Sequence, residues 1–184
     1  MMKKLKENSL LIADPFLKDD NFIRSVVYLC SHNEEGSFGL VLNKLFDFTL
    51  NNLVSGFESF EIPVFVGGPV ALDTIHFIHQ YPYLVPDCHQ LDDNLAWGGD
   101  FETIKALIIS GEINLHKIKF FIGYSGWSAG QLQSEIDDKT WITSEVKRNL
   151  IFEVPINNIW KQSVINLGGE FEQLANYPID PQLN

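Results

Sequence analysis

The chain has 184 residues, of which 45% are apolar, and a formal net charge of −11, so we expect a globular protein with its own core. The 24 acidic residues outnumber the 13 lysines and arginines, which argues against attraction to nucleic acid or anionic membranes. No window approaches the roughly 20 apolar residues of a membrane span. We therefore expect one domain over residues 1–184 in the cytoplasm.

The first part of the chain predicts a β-meander. Residues 10–13 form a short apolar run that ends at Asp14-Pro15, which is typical of a strand followed by a turn. Residues 24–32 are rich in strand-forming side chains, and residues 38–42 return as a third strand. Residues 33–36 separate these two runs and end in glycine, so they predict a hairpin turn.

The middle of the chain mixes helix and strand signals. Residues 49–57 carry apolar side chains at helical spacing after a threonine, and residues 62–66 read as a strand. Residues 74–81 alternate with the period of a strand. Residues 100–110 give the clearest helix, because Asp100 is a good N-cap and a glycine follows the last apolar position.

The stretch after this helix organises the chain. Residues 118–122 are an apolar run that predicts a buried strand. Gly123, Gly126 and Gly130 then predict a flexible turn around Trp127, and a helical pattern follows to about residue 138. Strand, glycine-rich turn and helix in this order present free backbone N–H groups to a ligand.

The last part of the chain predicts short elements. Residues 141–146 and 149–154 predict strands, residues 157–165 a helix and residues 171–175 a further helical turn, while residues 177–184 are irregular. Clusters of strands with helices between them favour an α+β fold over a strict alternation.

Motifs spread over nearly the whole chain resemble those of the YqgE/AlgH family of bacterial proteins. They are Asp14-Pro15, Asn21-Phe22, His32-Asn33-Glu34-Glu35-Gly36, Gly39-Leu40-Val41-Leu42-Asn43-Lys44, Gly67-Gly68-Pro69-Val70, Gly123-Tyr124-Ser125-Gly126-Trp127, Gly130-Gln131-Leu132 and Asp180-Pro181. The resemblance implies an α+β fold whose bent, largely antiparallel strands form a pseudo-barrel with flanking helices. It implies a cytosolic protein without established catalysis or cofactor, and it brings the label of a transcriptional regulator.

A hydrolase or transferase is the alternative. Gly126-Trp127-Ser128-Ala129-Gly130 fits the G-x-S-x-G pattern of a nucleophile elbow. Such a serine needs a histidine base and an acid, yet no histidine follows His116. The simpler interpretation is a glycine turn that fits Trp127 against the core while Ser128 caps a helix.

The residues at strand ends and in the glycine-rich stretch define one candidate cleft. Its members are Asn43, Lys44, Gly67, Gly68, Tyr124, Ser125, Gly126, Trp127, Ser128 and Gly130. Their backbone N–H groups suit a small anionic ligand or a protein partner, so we expect a binding or regulatory protein.

We expect no cofactor, no metal and no catalytic residue. His76 and His79 are three apart on a predicted strand, which places their rings on opposite faces. Cys30 and Cys88 are far apart and are expected to be reduced thiols.

Overall fold

The computed structural model describes residues 5–177, so the Asp180-Pro181 motif and most of the irregular tail lie outside the described residues. The strands are β1 (Ser9–Ala13), β2 (Val26–Asn33), β3 (Gly36–Val41), β4 (Leu45–Thr49), β5 (Pro63–Val66), β6 (Val70–His79), β7 (His89–Asp92), β8 (Leu95–Trp97), β9 (Ile118–Ser128) and β10 (Trp141–Glu145). The α-helices are α1 (Leu50–Leu53), α2 (Phe101–Ile109), α3 (Gln131–Asp137), α4 (Arg148–Phe152), α5 (Ile159–Leu167) and α6 (Phe171–Leu174).

The strands form a largely antiparallel sheet. Its order is β10-β1-β2-β3-β9-β6-β8-β7, and β5 joins β9 in parallel while pairing with β4. The predicted α+β class with flanking helices is confirmed. Among residues 5–177 the order of paired strands runs from β10 to β7, and these two end strands do not pair with each other. The bent strands that were expected to form a pseudo-barrel therefore form an open sheet.

Strand β9 is the centre of this sheet. Its first half lies between β5 and β6, with Phe121 opposite Phe65 and Phe120 opposite Phe77. Its second half pairs with β3, where Ser125 faces Gly39. Because β9 has partners along its whole length, it joins the two parts of the sheet.

The predicted glycine-rich turn at 123–130 is wrong for most of its length, since β9 continues to Ser128. Strand β3 offers backbone partners that allow the chain to remain extended. Gly123 has a φ of +60°, and the pairing of β6 with β9 shifts register opposite it. Only Ala129 and Gly130 form the turn, and Gly130, with a φ of +74°, precedes α3.

The other predictions were accurate where the local sequence signal was strong and less accurate where it was weak. The strands β1, β2 and β3 and their hairpin are confirmed. Helix α2 is confirmed together with its cap, because the Thr103 N–H donates to Asp100 Oδ2 at 2.8 Å. The helix predicted over 49–57 is shorter, since α1 ends at Leu53.

The strand predicted over 149–154 is wrong, because α4 occupies Arg148–Phe152. Leu150 and Ile151 are adjacent and both buried, a pattern that fits a helix face and equally a strand covered on both sides, so it did not distinguish the two.

Strands β4 and β7 were not predicted. Strand β7 has one apolar residue, Leu91, which is too weak a pattern to recognise, whereas the Leu45, Phe46 and Phe48 side chains of β4 were an apolar signal that the prediction overlooked.

Three apolar clusters fill the space between the sheet and the helices. Helix α5 covers β1 and β2 through Trp160 and Val164, and α2 covers β6 and β9 through Ile104 and Ile108. Trp127 and Trp141 belong to the third cluster beside α3. No helix among residues 5–177 is long and apolar enough to cross a bilayer.

Candidate functional site

Asn43 uses its side chain to hold two parts of the chain together. The Val26 N–H donates to Asn43 Oδ1 at 2.9 Å, and Asn43 Nδ2 donates to the Arg24 carbonyl at 2.8 Å. Both ends of the amide are thus engaged within the fold. Lys44 is exposed, and its Nζ donates to the Asp20 carbonyl at 3.4 Å.

Gly67 and Gly68 pack directly against the backbone of β9. The Gly67 N–H donates to the Ile122 carbonyl at 2.8 Å, and the Gly67 carbonyl accepts from Val41 N–H at 2.9 Å and from Ser125 Oγ at 3.0 Å. A Cβ on Gly68 would overlap the Tyr124 carbonyl. The Gly67 amide and carbonyl therefore stabilise strand contacts instead of facing a ligand.

The side chains from Tyr124 to Ser128 alternate between the two faces of β9. Tyr124 stacks on Phe38 with ring centroids 4.8 Å apart, whereas Ser125 and Trp127 are buried. Gly126 and Trp127 line a cavity of about 370 Å³, while Asn43 lines a different one of about 360 Å³. The structure does not bring the ten residues into one cavity, and their ligand-binding role stays a prediction.

Glu135 of α3 organises the cavity beside Trp127. Its Oε2 accepts the indole N–H groups of Trp127 and Trp141, each at 2.8 Å, and its Oε1 accepts from Gln131 Nε2 at 2.9 Å. Asp19 adds a second carboxylate to the lining. Two carboxylates repel an anion, so this cavity does not suit the small anionic ligand that we expected for the loop.

Ser128 lacks the neighbours of a nucleophile. Its Oγ is exposed and donates to Gln131 Oε1 at 3.1 Å. Within residues 5–177, four histidines have their hydrogen bonds elsewhere: His32 with Ser37, His76 with Thr74, His79 with Gly98 and His89 with Glu7. The fifth, His116, lines another cavity. The geometry gives the hydrolase alternative no base.

The two histidines of β6 do not share a site. The ring of His76 packs on Phe38, and its Nε2 lies 3.1 Å from Thr74 Oγ1. His79 is fully buried, with Nε2 3.0 Å from the Gly98 carbonyl oxygen, and burial lowers its pKa. Across the described part of the chain, no group of three or more metal-ligating side chains gathers.

Lys119 is the unusual residue that the sequence analysis missed. It lies on β9 and is only 8% exposed. Its Nζ donates to the Leu42 carbonyl at 2.7 Å and to the Ile151 carbonyl at 3.3 Å, and lies 3.9 Å from the centroid of the Phe65 ring. Burial lowers the pKa of the Lys119 ammonium to about 7.

Lys119 lines a cavity of about 350 Å³ between β5, β9 and the segment around α4. The walls are mostly apolar, with Ile62, Phe65, Ile118, Ile151, Phe152 and Val154 among the lining residues. The polar side chains of the lining are those of Glu61, His116 and Lys119. In residues 5–177 the recorded ion pairs do not include Lys119. A lysine inside the apolar run 118–122 was the available sequence signal.

Comparisons with known proteins place the chain in one protein family. A family model described as AlgH-like matches residues 10–172. A UPF0301 protein of Chlorobium limicola is 41% identical over 181 residues, which cover 98% of this chain and 97% of that protein. Another, from Parabacteroides distasonis, is 42% identical over 180 residues and covers 97% and 91%.

Two solved structures share the fold. The AlgH protein from Pseudomonas aeruginosa matches with a TM-score of 0.75 and 27% identity, covering 96% of this chain and 98% of that one. A protein from Corynebacterium diphtheriae matches with a TM-score of 0.79, covering 95% and 94%. At 19% identity, this second likeness shows the fold alone.

Proposed function

The chain belongs to the AlgH-like family, and from the cavity beside Lys119 we propose that it binds a small organic anion with an apolar body. One observation carries this proposal. A buried amine faces an apolar cavity, and within the described residues it has backbone carbonyls and a ring as neighbours instead of a carboxylate.

A bound carboxylate would supply what this amine lacks. A buried ammonium is unfavourable unless it is paired with an opposite charge. An anion at hydrogen-bonding distance raises the pKa of the amine and keeps it charged. The apolar walls add roughly 25 cal/mol for each Å² of ligand surface that they remove from water. At Lys119, charge and shape therefore favour a carboxylate with a hydrocarbon or aromatic body. The Glu61 carboxylate on the same lining opposes an anion, but it is exposed and its charge is screened by water.

We assign the protein a binding or regulatory role without catalysis. The net charge of −11 opposes direct contact with DNA, which the label of transcriptional regulator would otherwise suggest. Regulation would then proceed through a protein partner that distinguishes the ligand-bound state from the free state. Strand β9 supports this role, because it links the cavity to both parts of the sheet.

The test is a methyl NMR titration of the full chain with benzoate and hexanoate, and with their neutral amides as matched probes. We expect the carboxylates to shift the methyl signals of Ile118 and Ile151, which line the cavity. The amides keep the shape but lack the charge, so they should leave these signals unchanged.

Two variants locate the effect. Lys119→Met keeps the length of the side chain and removes the amine, so the response should disappear. Lys18→Met makes the same change at an exposed lysine outside both this cavity and the predicted cleft, and should respond like the wild type. The proposal fails if the carboxylates give no shift, if the amides act equally well, or if Lys119→Met responds unchanged.

A further inference from the structure

We propose that the ε-amino group of Lys119 is a nucleophile that captures small apolar aldehydes as an imine inside this cavity. The inference rests on the proposed function only in that it uses the same cavity. It adds an activity, covalent capture of a carbonyl compound, to the binding of an anion.

The position of the nitrogen supports this role. Ile151 and Phe65, which are two of the three neighbours of Nζ, also line the cavity. Because Lys119 and these two neighbours of its nitrogen all line the cavity, we infer that Nζ lies near the wall, within reach of a bound carbonyl carbon. In other proteins, desolvation in an apolar pocket is a common way of activating a lysine for imine formation.

The hydrogen bonds suit a neutral amine. A neutral amine has two N–H bonds and one lone pair. The carbonyls of Leu42 and Ile151 can accept both N–H bonds, at 2.7 and 3.3 Å. Carbonyl oxygens do not occupy the lone pair, but the third neighbour of Nζ is the Phe65 ring, with its centroid at 3.9 Å. Attack on a bound carbonyl carbon therefore requires a rotation of the Lys119 side chain that turns the lone pair away from this ring.

The protonation state supports the same conclusion. Burial lowers the pKa of Lys119 to about 7, so that about half of the amine is neutral at that pH. An exposed lysine with a pKa of about 10.4 is neutral in only about one molecule in 2,500 at the same pH. At neutral pH, Lys119 is thus on the order of a thousandfold richer in the reactive form.

The reaction balances without an oxidant or a reductant. The nitrogen lone pair attacks the carbonyl carbon, the π electrons move to the oxygen, and a proton passes from nitrogen to oxygen to give a carbinolamine. The C–O bond then breaks, water leaves with one further proton from nitrogen, and a C=N bond forms. His116 and Glu61 are exposed residues of the same cavity lining, so the cavity opens to solvent, with which these protons exchange.

The experiment is reductive labelling of the full chain with benzaldehyde and sodium cyanoborohydride at neutral pH, followed by peptide mass spectrometry. The hydride converts the imine into a stable benzyl amine. We expect Lys119 to be labelled at least tenfold faster than the exposed Lys44 and Lys161. Lys119→Met should lose this label, whereas Lys18→Met, a change at an exposed lysine outside the predicted cleft, should keep it.

A pH series gives a readout that does not depend on a variant. Between about pH 7 and about pH 9, the neutral fraction of Lys119 rises about twofold, while that of an ordinary lysine rises about a hundredfold. The ratio of Lys119 label to exposed-lysine label should therefore fall about fiftyfold. Labelling spread evenly over the lysines, no adduct at Lys119, or a ratio independent of pH would overturn the inference.

The two proposals fail separately. If benzoate shifts the cavity signals but benzaldehyde leaves Lys119 unlabelled, the imine inference falls and the anion site stands. If Lys119 is labelled but the carboxylates have no effect, the anion site falls and the nucleophile stands.

Discussion

At the scale of single residues, the buried amine of Lys119 links the stability of the fold to pH. Its pKa is lowered from 10.5 to about 7 in the folded chain, so the unfolded chain binds more protons between these two values. The free energy of unfolding therefore rises with pH across this window. Below about pH 7, Lys119 is charged in both the folded and the unfolded chain, and the folded chain bears the full cost of burying that charge. The whole shift corresponds to at most about 5 kcal/mol.

We predict that Lys119→Met removes this pH dependence. Relative to the variant, the wild type should gain about 2 kcal/mol of unfolding free energy between about pH 7 and about pH 9. Urea unfolding at several pH values measures the difference, and changes common to both proteins cancel. Lys44→Met is the control, because Lys44 is exposed and its variant should follow the wild-type curve. Parallel curves for wild type and Lys119→Met would show that the amine is not perturbed.

Glu135 gives a second prediction at this scale. It accepts the indole N–H groups of Trp127 and Trp141, which are only 6% and 3% exposed. Glu135→Ala leaves both indoles without their acceptor and should lower the unfolding free energy by about 2 to 4 kcal/mol. Urea unfolding followed by circular dichroism measures the loss.

The control for Glu135 comes from the same helix. Gln133 is exposed and its side chain donates to the exposed Asp137, so Gln133→Ala should change stability by less than about 0.5 kcal/mol. Glu135→Gln keeps an acceptor oxygen and should lie between the two. A cost for Glu135→Ala no larger than that of Gln133→Ala would contradict the role of the carboxylate as an anchor for the tryptophans.

At the scale of elements, the contact between the end of β5 and the middle of β9 has no room for a side chain. A Cβ on Gly67 would overlap the Gly123 carbonyl and lie 2.7 Å from Leu40 Cδ2. We predict that Gly67→Ala lowers the unfolding free energy by about 3 kcal/mol, because backbone atoms must move apart.

Gly126→Ala is the matched control for this contact. Gly126 lies on β9 and is exposed, and among residues 5–177 the nearest atoms to a new Cβ belong to the edge of the Tyr124 ring, at 3.1 Å. Its unfolding free energy should remain within about 1 kcal/mol of the wild type. If both variants unfold at the same urea concentration, the close approach of β5 and β9 does not limit substitution.

The elements that the sequence predicted well carry their signals within a few residues. Helix α2 has a cap at Asp100, apolar residues at helical spacing and a terminal glycine. The glycines of β9 were interpreted as a turn because the partner that keeps them extended, β3, is far away in the sequence. Helix α4 is only five residues long, and its adjacent apolar residues Leu150 and Ile151 fit the period of a strand as well as that of a helix, so the strand prediction was wrong there.

The candidate site was harder to predict for the same reason. Asn43 was recognised as a polar residue at a strand end, but the sequence does not show that Val26 and Arg24 engage its amide. Lys119 was visible as a lysine in an apolar strand. The carbonyls that accept hydrogen bonds from its amine belong to Leu42 and Ile151, which are 77 and 32 positions away along the chain. No local sequence pattern indicates such distant partners.

At the scale of the whole molecule, β9 holds the two parts of the sheet together. Strands β10, β1, β2 and β3 lie on one side, and β6, β8 and β7 lie on the other. If β9 comes apart, both parts lose a central neighbour. This arrangement favours one cooperative unit among the described residues, and the single domain expected from chain length stays a prediction.

Native-state hydrogen exchange tests this cooperativity. We predict that buried amides of β2, such as Leu29, and of β6, such as Ile78, exchange with the same free energy of opening and the same urea dependence. Both should match global unfolding, because neither part can open without disturbing β9. The amides of β7 at the end of the sheet should exchange through smaller openings, since β8 is its pairing partner. Different opening energies for Leu29 and Ile78 would mean that the two parts unfold independently and that β9 does not unite them.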